Sequence, residues 1–417
     1  MKILYLCHRI PYPPNKGDKI RAFYQLRAMA MRHEVDLFTL ADDRADLDHQ
    51  AELERICRRV VVRPLNPLVA RIRALPTLLT RSPLTVPYFY SAELERAVQA
   101  ALQQRRYDRI FVYCSAMGQY IKGVGQIPTI MDFVDVDSDK WSQYSTSSRF
   151  PFSAIYRREA SALRRYEGKV AQRSACVVVT TEREARLARQ IAGCPVHVIP
   201  NGVDTTYFAP PKVWPASGAP VITFVGDMGY FPNQEAVESF ANRVLPLVRE
   251  AVPEARFWIV GRNPSRKVQK LGKLPGVSVT GFVPDIRTYL AQSQVIVAPF
   301  SIAAGIQNKI LEALSFGLPV VATSRAAQGL APEVAQVVET ADDPDSLADK
   351  VAALLRDPDR ARGLGSKGRR CVDSAYNWER SSAYLLQLLE DPSSTPGTGA
   401  GAAYSRSLQR YCWKTNC

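Results

Sequence analysis

The chain has 417 residues, 46% of them hydrophobic and 23% charged, which gives room for two ordinary domains and excludes a disordered polypeptide. Its net charge of +14 is uneven, because residues 1–200 hold 31 Lys and Arg against 20 Asp and Glu, about +11. The 8 Cys form no CxxC pair and only 4 His occur, which argues against a disulfide framework or a structural zinc site and suits a reducing cytoplasm.

No apolar run reaches the roughly 18 residues of a membrane span, and MKILYLC is too short for a signal peptide; it reads as a strand over residues 2–7. Residues 18–32 place Ile20, Phe23, Leu26 and Met29 at helical spacing, and 34–40 form the next strand. Strand, loop, helix, strand is a βαβ unit, which implies a parallel sheet. In the intervening loop Gly17 either lets the backbone approach a phosphate or sugar, or is a turn residue before Asp18 as N-cap. From 55 to 90, Arg58, Arg59, Arg63, Arg71, Arg73 and Arg81 alternate with apolar residues. Such a stretch fits a membrane interface or a helix–loop region with a solvated basic face.

Strands over 108–114 and 128–133 end in polar residues, Ser115 following the first and Asp132 lying in the second. Asp135-Val-Asp137 has the spacing of a metal-holding Asp-x-Asp pair, while Asp137 and Asp139 also read as caps of a following helix. A basic amphipathic helix over 155–173 and strands over 175–180 and 196–199 lead to Pro200-Asn201-Gly202, in itself a turn signal. Residues 210–220, rich in Pro, Ala and Ser, read as a linker.

The second half restarts the alternation. Strand 221–225 ends at Gly226, helix 234–252 follows, and strand 256–260 ends at Gly261-Arg262. Strand 277–281 runs into Phe282 and Val283, with a short helix over 285–291. Strand 295–300, a permissive loop containing Gly305, helix 308–315 and a strand from 319 make the most informative stretch. A loop at the carboxyl end of a parallel strand, feeding a helix N-terminus, binds anions in α/β proteins. Lys309 in the first turn suits a diphosphate, and Glu312, three residues on, suits ribose hydroxyls. A strand–loop–helix with one Lys and one Glu is, however, common in α/β proteins. Helices over 343–355, 359–375 and 378–389 precede a Pro-, Ser-, Thr- and Gly-rich stretch after 391.

The whole string Asn308-Lys309-Ile-Leu-Glu312-Ala, followed by Gly317-Leu-Pro-Val-Val, resembles the donor-site signature of retaining, GT-B-fold glycosyltransferases of family 4. Ile199-Pro-Asn201-Gly-Val-Asp204 is similar to that family's interdomain crossing, and Asn377-Trp378-Glu379 to its final signature. The match is narrowest with sugar transferases encoded with bacterial exopolysaccharide and PEP-CTERM protein-sorting systems. It is carried by Pro-Pro-Asn-Lys-Gly-Asp, Asp-Phe-Val-Asp-Val-Asp-Ser-Asp-Lys-Trp, Val-Gly-Arg-Asn-Pro and Gly-Ile-Gln-Asn-Lys. The resemblance implies an α/β, GT-B fold: two Rossmann-like domains facing across a cleft, with a C-terminal helix crossing back to the first domain. The expected division is an acceptor-side domain over 1–205, a linker over 206–220, a nucleotide-sugar domain over 221–376, the returning helix over 377–390 and a flexible tail over 391–417.

The same resemblance assigns roles. Lys309, Glu312 and Asp135 are expected at the chemistry. Gly17, Gly226, Arg262, Phe282, Val283, Gly305, Ile306, Gln307 and Asn308 are expected at the donor, and Asp132, Ser115 and Asn201 on the acceptor side. Three departures stand out. The loop 226–233 lacks the Arg and Lys that family members often supply, leaving Arg262 as a substitute, and Ala304 stands where the first of two glutamates is usual. Likewise Val134 precedes Asp135 where the family has His. The implied reaction is transfer of a sugar from a nucleoside-diphosphate sugar to a glycan or polyprenyl-linked acceptor. It proceeds with retention and with neither cofactor nor metal, in the cytoplasm or peripherally on an anionic inner membrane face. Nucleic acid is not an expected partner, no RNP-like, helix-turn-helix or zinc-finger pattern being evident. The rival readings are a GT-B sugar-nucleotide epimerase and a non-enzymatic basic protein binding nucleic acid or anionic membrane.

Overall fold

The computed structural model describes residues 1–14, 17–123, 127–214, 218–303 and 305–392. They form two compact units, residues 1–200 with the described residues from Trp378 on, and residues 201–377. Most of the stretch expected to be a flexible tail, from 393, lies outside the described residues, as does Ala304.

The first unit is built on a seven-stranded sheet. Its strands are Lys2–Cys7 (β1), Glu34–Ala41 (β2), Arg59–Pro64 (β3), Arg109–Tyr113 (β4), Thr129–Val134 (β5), Cys176–Val179 (β6) and Val196–Val198 (β7). Their order is β3-β2-β1-β4-β5-β6-β7 and every pairing is parallel. The central strands are continuous apolar runs because both faces are covered. Leu4, Leu6, Val112 and Met131 enter one core, and Ile3, Tyr5, Phe111 and Ile130 the other, as the period of two requires. The second core also takes Ala22, Leu26 and Met29 of the first helix, Gly17–Ala30, and Leu385, Leu386, Leu388 and Leu389 of the last helix, Trp378–Glu390. Tyr24 and Trp378 stack with ring centroids 4.5 Å apart, a contact worth about 0.5–1.5 kcal/mol beyond its buried area. The last helix therefore packs on the first unit.

The second unit carries a six-stranded parallel sheet. Its strands are Val221–Val225 (β8), Arg256–Val260 (β9), Val277–Gly281 (β10), Val295–Ala298 (β11), Val320–Ala322 (β12) and Glu339–Thr340 (β13), in the order β10-β9-β8-β11-β12-β13. In both sheets the direction of strand addition reverses beside the first strand, between β1 and β4 and between β8 and β11. The carboxyl ends at such a reversal leave a crevice in which α/β proteins bind ligands.

Three expectations change. The helix expected over 234–252 is Phe231–Ser239, a π-turn Phe240–Val244, and Leu245–Ala251, because Pro246 has no N–H to continue the ladder. Asp18 is not an N-cap: the helix already begins at Gly17, and Asp18 sits in its first turn. Asp137 and Asp139 likewise lie inside the first turn of the helix Asp137–Ser147, where no side chain of the N-cap residue makes a capping bond.

Candidate functional site

At the reversal of the second sheet, the loop after β8 and the loop after β11 converge on Lys309. The helix Asn308–Ser315 carries it, with Gln307 at the N-cap position and Gly305 at φ 58°, which a glycine adopts without strain. Lys309 Nζ donates to Asn233 Oδ1 at 2.8 Å and lies 4.2 Å and 4.6 Å from the centroids of Phe224 and Phe300. Asn233 in turn donates to the Asp227 carbonyl at 2.8 Å. A Cβ at Gly226 would lie 2.8 Å from Asn233 Nδ2 and 3.0 Å from Lys309 Nζ, so glycine makes the space these two occupy. Among the described residues Lys309 has no carboxylate within ion-pair distance. Burial pulls its amine down to about 7 against the opposing pull of Glu312, and burial pushes Glu312 up to about 7 against the opposing pull of Lys309. A half-buried lysine amine with no carboxylate at ion-pair distance among the described residues, at a helix N-terminus, is a place for an anion.

The other donor candidates lie on the same unit. Ile306 is buried, Gln307 and Asn308 are half-buried, and Phe282 is 73% exposed directly after β10. Val283 follows it, half-buried. Arg262 is not a free cation: its Nε donates to Asp227 Oδ2 at 3.0 Å, while its buried Nη2 has no partner among the described residues. Asp227 also accepts from Asn263 Nδ2 at 3.1 Å and from Gly229 N at 2.9 Å. Asn201 departs from the acceptor-side expectation. It belongs to the second unit, where its Nδ2 donates to Asn308 Oδ1 at 3.0 Å, so it braces the start of the Lys309 helix.

The first unit has its own cluster at the carboxyl ends of β1, β4 and β5. Cys114 and Val134 there adopt φ 70° and 64°, uncommon for any side chain and a true outlier for a β-branched one. Strain of about 1–3 kcal/mol at each persists only where surroundings over-determine it, typically at functional sites. Asp135 follows Val134, half-buried, and accepts from Thr180 Oγ1 at 3.0 Å. Burial raises its pKa, Lys140 opposes this and Asp137 adds to it. The helix start beside it is held from a distance: Glu184 accepts from Val136 N at 2.7 Å, and Glu167 from Ser138 N at 3.1 Å and Ser138 Oγ at 2.5 Å. Gly17 is exposed at the start of the first helix.

Asp132 and Ser115 do not present themselves to an acceptor. Asp132 is fully buried and accepts from Arg21 Nε at 2.9 Å, Gln25 Nε2 at 2.5 Å and Val134 N at 2.8 Å, so its role is to fasten the first helix to β5. Ser115 is buried in the 3-10 turn Ser115–Ile121. His8 and Asn233 are the site residues the sequence reading missed. His8 follows β1, stacks on Tyr113, meets Phe89 edge-on, and lies 3.5 Å through Nε2 from Asp18, which also accepts from Arg9 at 2.7 Å. Burial works against the charged imidazole, but Cys114 and Asp18 lift it above its ordinary value. Its signal was a histidine directly after the first strand; that of Asn233, which lies in the helix Phe231–Ser239, was its place at the end of the stretch 226–233 that lacks the family's usual basic residues.

Residues 21–202 match the family described as glycosyl transferase 4-like domain, and residues 219–357 the family described as glycosyl transferases group 1. A GDP-mannose-dependent α-(1-6)-phosphatidylinositol monomannoside mannosyltransferase of Mycolicibacterium smegmatis is 28% identical over 217 residues, 46% of this chain and 55% of that protein. An α-maltose-1-phosphate synthase of the same organism is 30% identical over 230 residues, 48% of this chain and 57% of that protein. The matched segments thus span about half the length of these relatives. Among solved structures, a sucrose-phosphate synthase from Thermosynechococcus elongatus superposes with a TM-score of 0.71 at 21% identity, over 94% of this chain and 99% of that one. Anabaena HepE in complex with UDP-glucose does so with a TM-score of 0.64 at 17% identity, over 94% and 99%. The two Rossmann-like units and these likenesses give an α/β, GT-B fold.

Proposed function

We propose that this chain, a GT-B glycosyltransferase by its fold and both of its domain matches, moves a sugar from a nucleoside-diphosphate sugar to a glycan or polyprenyl-linked acceptor with retention. The observation that carries the reading is the Lys309 amine, half-buried against two phenyl rings, lacking a carboxylate partner among the described residues, and set at the reversal of the second sheet. A diphosphate supplies the missing charge. As the bond from the sugar carbon to the diphosphate oxygen breaks, Lys309, the N–H groups opening its helix and the main chain at Gly305 stabilise the departing oxygens. Arg262 adds a second cation once it turns from Asp227. Glu312 orients the ribose, and Phe282 and Val283 lie where a base would rest. On the first unit, Asp135 is the group assigned to orient the acceptor hydroxyl; as its oxygen joins the sugar carbon, its proton passes to the departing diphosphate oxygen.

The relatives' names put GDP-mannose and UDP-glucose first among donors to try. The narrower sequence resemblance supports a place in exopolysaccharide or envelope glycan synthesis on the cytoplasmic side of the membrane. Among the described residues no helix is long and apolar enough to cross a membrane.

A thermal-shift screen of UDP-, GDP-, ADP- and CDP-sugars tests the reading. One nucleotide class is expected to stabilise the protein, by about 2.7 kcal/mol at a hundred times its Kd. Donor consumption is then expected to require an acceptor; turnover of donor alone to an altered free sugar would assign an epimerase instead. If no class stabilises the protein, the donor site is wrongly placed.

A further inference from the structure

The stretch 55–90 was read as arginine-led, and the structure redistributes it. Arg58 pairs with the buried Asp36, donating to Oδ1 at 2.8 Å and to Oδ2 at 2.5 Å. Arg59 lies over the Phe38 ring, and Arg73 over the Tyr90 ring. These three arginines are engaged within the unit. What the surface shows instead is an inverted helix. In Pro67–Ala74 and the 3-10 turn Leu75–Leu79 that continues it, the alanines Ala70 and Ala74 face the core. Leu68, Val69, Ile72, Leu75 and Leu79 face outward, each between 55% and 93% exposed. An ordinary surface helix buries its leucines, so an apolar face turned outward at spacings of one, three and four residues needs a partner.

The face is held in place. Asn66 caps the helix, accepting from Leu68 N at 3.0 Å and Val69 N at 3.3 Å. Arg158 donates to the carbonyls of Thr77, Thr80 and Ser82, and the buried Glu159 accepts from Leu84 N at 2.7 Å and from Thr85 N at 3.0 Å. Arg158 and Glu159 belong to the helix Phe152–Ala171, whose start presents Phe150 and Phe152, 83% and 58% exposed. No acidic residue occurs between Glu54 and Glu93 or between Asp139 and Glu159, whereas Arg71, Arg81 and Arg149 are exposed there.

We propose that this face seats the protein on an anionic lipid bilayer. Leu68, Val69, Ile72, Leu75 and Leu79 enter the boundary of the acyl region, Phe150 and Phe152 flank them, and Arg71, Arg81 and Arg149 meet headgroup phosphates. Apolar burial supplies the hold and charge supplies the preference for anionic lipid. The charge argues against a second copy, because a two-fold contact through this face would bring together two arginine-bearing surfaces whose stretches hold no carboxylate to answer them. That the surface serves to meet a lipid-linked acceptor rests on the reaction proposed above; the docking does not.

Flotation of the full chain with phosphatidylcholine vesicles, with and without phosphatidylglycerol, tests the proposal. The wild type is expected to float with the anionic vesicles and to keep much of that binding at high salt. The triple variant Leu68→Ser, Ile72→Ser, Leu79→Ser is expected to lose it about tenfold at every salt concentration. Arg71→Ser with Arg81→Ser should lose only the preference for anionic lipid. Since Leu79 is 93% exposed, Leu79→Trp carries little folding risk, and its added emission should shift to the blue on vesicle binding. An unchanged thermal shift with the stabilising nucleotide shows that each variant is folded and separates failure here from failure of the donor site. A wild type that stays off anionic vesicles at low salt overturns the proposal. So does a mass by light scattering that is twice the chain's and reverts to one chain in the triple variant.

Discussion

Lys309 is the residue on which the proposed chemistry turns, and its surroundings set both its charge and the sign of its pH dependence. Free in water a lysine is charged until pH exceeds about 10.4. Here burial brings the amine to about 7, with Glu312 opposing, so near neutrality the protein alone holds it only part-protonated. A bound diphosphate restores the proton on Lys309 and favours a protonated Glu312, so binding takes up protons at pH 7 and affinity falls as pH rises above 7. Calorimetry of nucleotide binding in two buffers of different ionisation enthalpy measures this directly; equal heats in both would remove Lys309 from the diphosphate. For the folded protein alone the sign is opposite. Between about 7 and 10.4 the unfolded chain binds the proton that folded Lys309 has lost, so this residue makes stability rise with pH across that window. Lys309→Ala should lower turnover by about 10²–10³, the scale for deleting one donor to a developing oxyanion, while leaving the far-UV spectrum unchanged. Wild-type turnover in that variant would end the assignment.

At the scale of elements, the buried Arg21–Asp132 pair joins the first helix to β5, and Arg21 also donates to the Ile199 carbonyl at 2.8 Å. Asp132→Ala leaves the guanidinium buried without its carboxylate, which costs about 3–5 kcal/mol in such pairs. The expected result is therefore a lowered melting temperature of the first unit; lost transfer with unchanged melting would return Asp132 to the acceptor. This residue also shows where sequence reading stops. The strands and the helix Asn308–Ser315 were legible because fully buried parallel strands are uninterrupted apolar runs and the helix has clear stops at Gly317 and Pro319. The βαβ alternation then dictated two parallel sheets. A polar residue at a strand end, in contrast, reads alike whether it faces a ligand or an arginine over a hundred residues away. The sequence did not disclose the bonds of Asp132 and Asn201 for that reason, since their partners Arg21, Gln25 and Asn308 are set by topology, not by local pattern. Strand β3 was missed because Arg59 and Arg63 interrupt its apolar run, and the π-turn because period alone does not register Pro246.

Across the whole molecule the two sheets repeat one device, a reversal beside the first strand with irregular backbone at the carboxyl ends, yet they load it differently. The second unit offers Lys309, Asn233 and Arg262, donors and cations fit for a diphosphate. The first offers His8, Asp18 and Asp135, an imidazole and carboxylates fit for handling a hydroxyl. That asymmetry predicts where a nucleoside diphosphate without its sugar binds. Hydrogen exchange of the full chain, with and without saturating nucleotide of the class that stabilises it, should show protection at 226–233, at 261–263 and at 305–312. Residues 8–18 and 132–139 should exchange as before. Chelation belongs to the same comparison: if diphosphate charge is met by Lys309 and Arg262, excess EDTA leaves both the protection and the rate of transfer nearly unchanged. If Asp135 and Asp137 hold a catalytic divalent ion, EDTA abolishes transfer and Mn²⁺ or Mg²⁺ restores it. Protection of 132–139 by nucleotide, reversed by EDTA, would move the diphosphate to the first unit and refute the division of labour drawn from the two switch points.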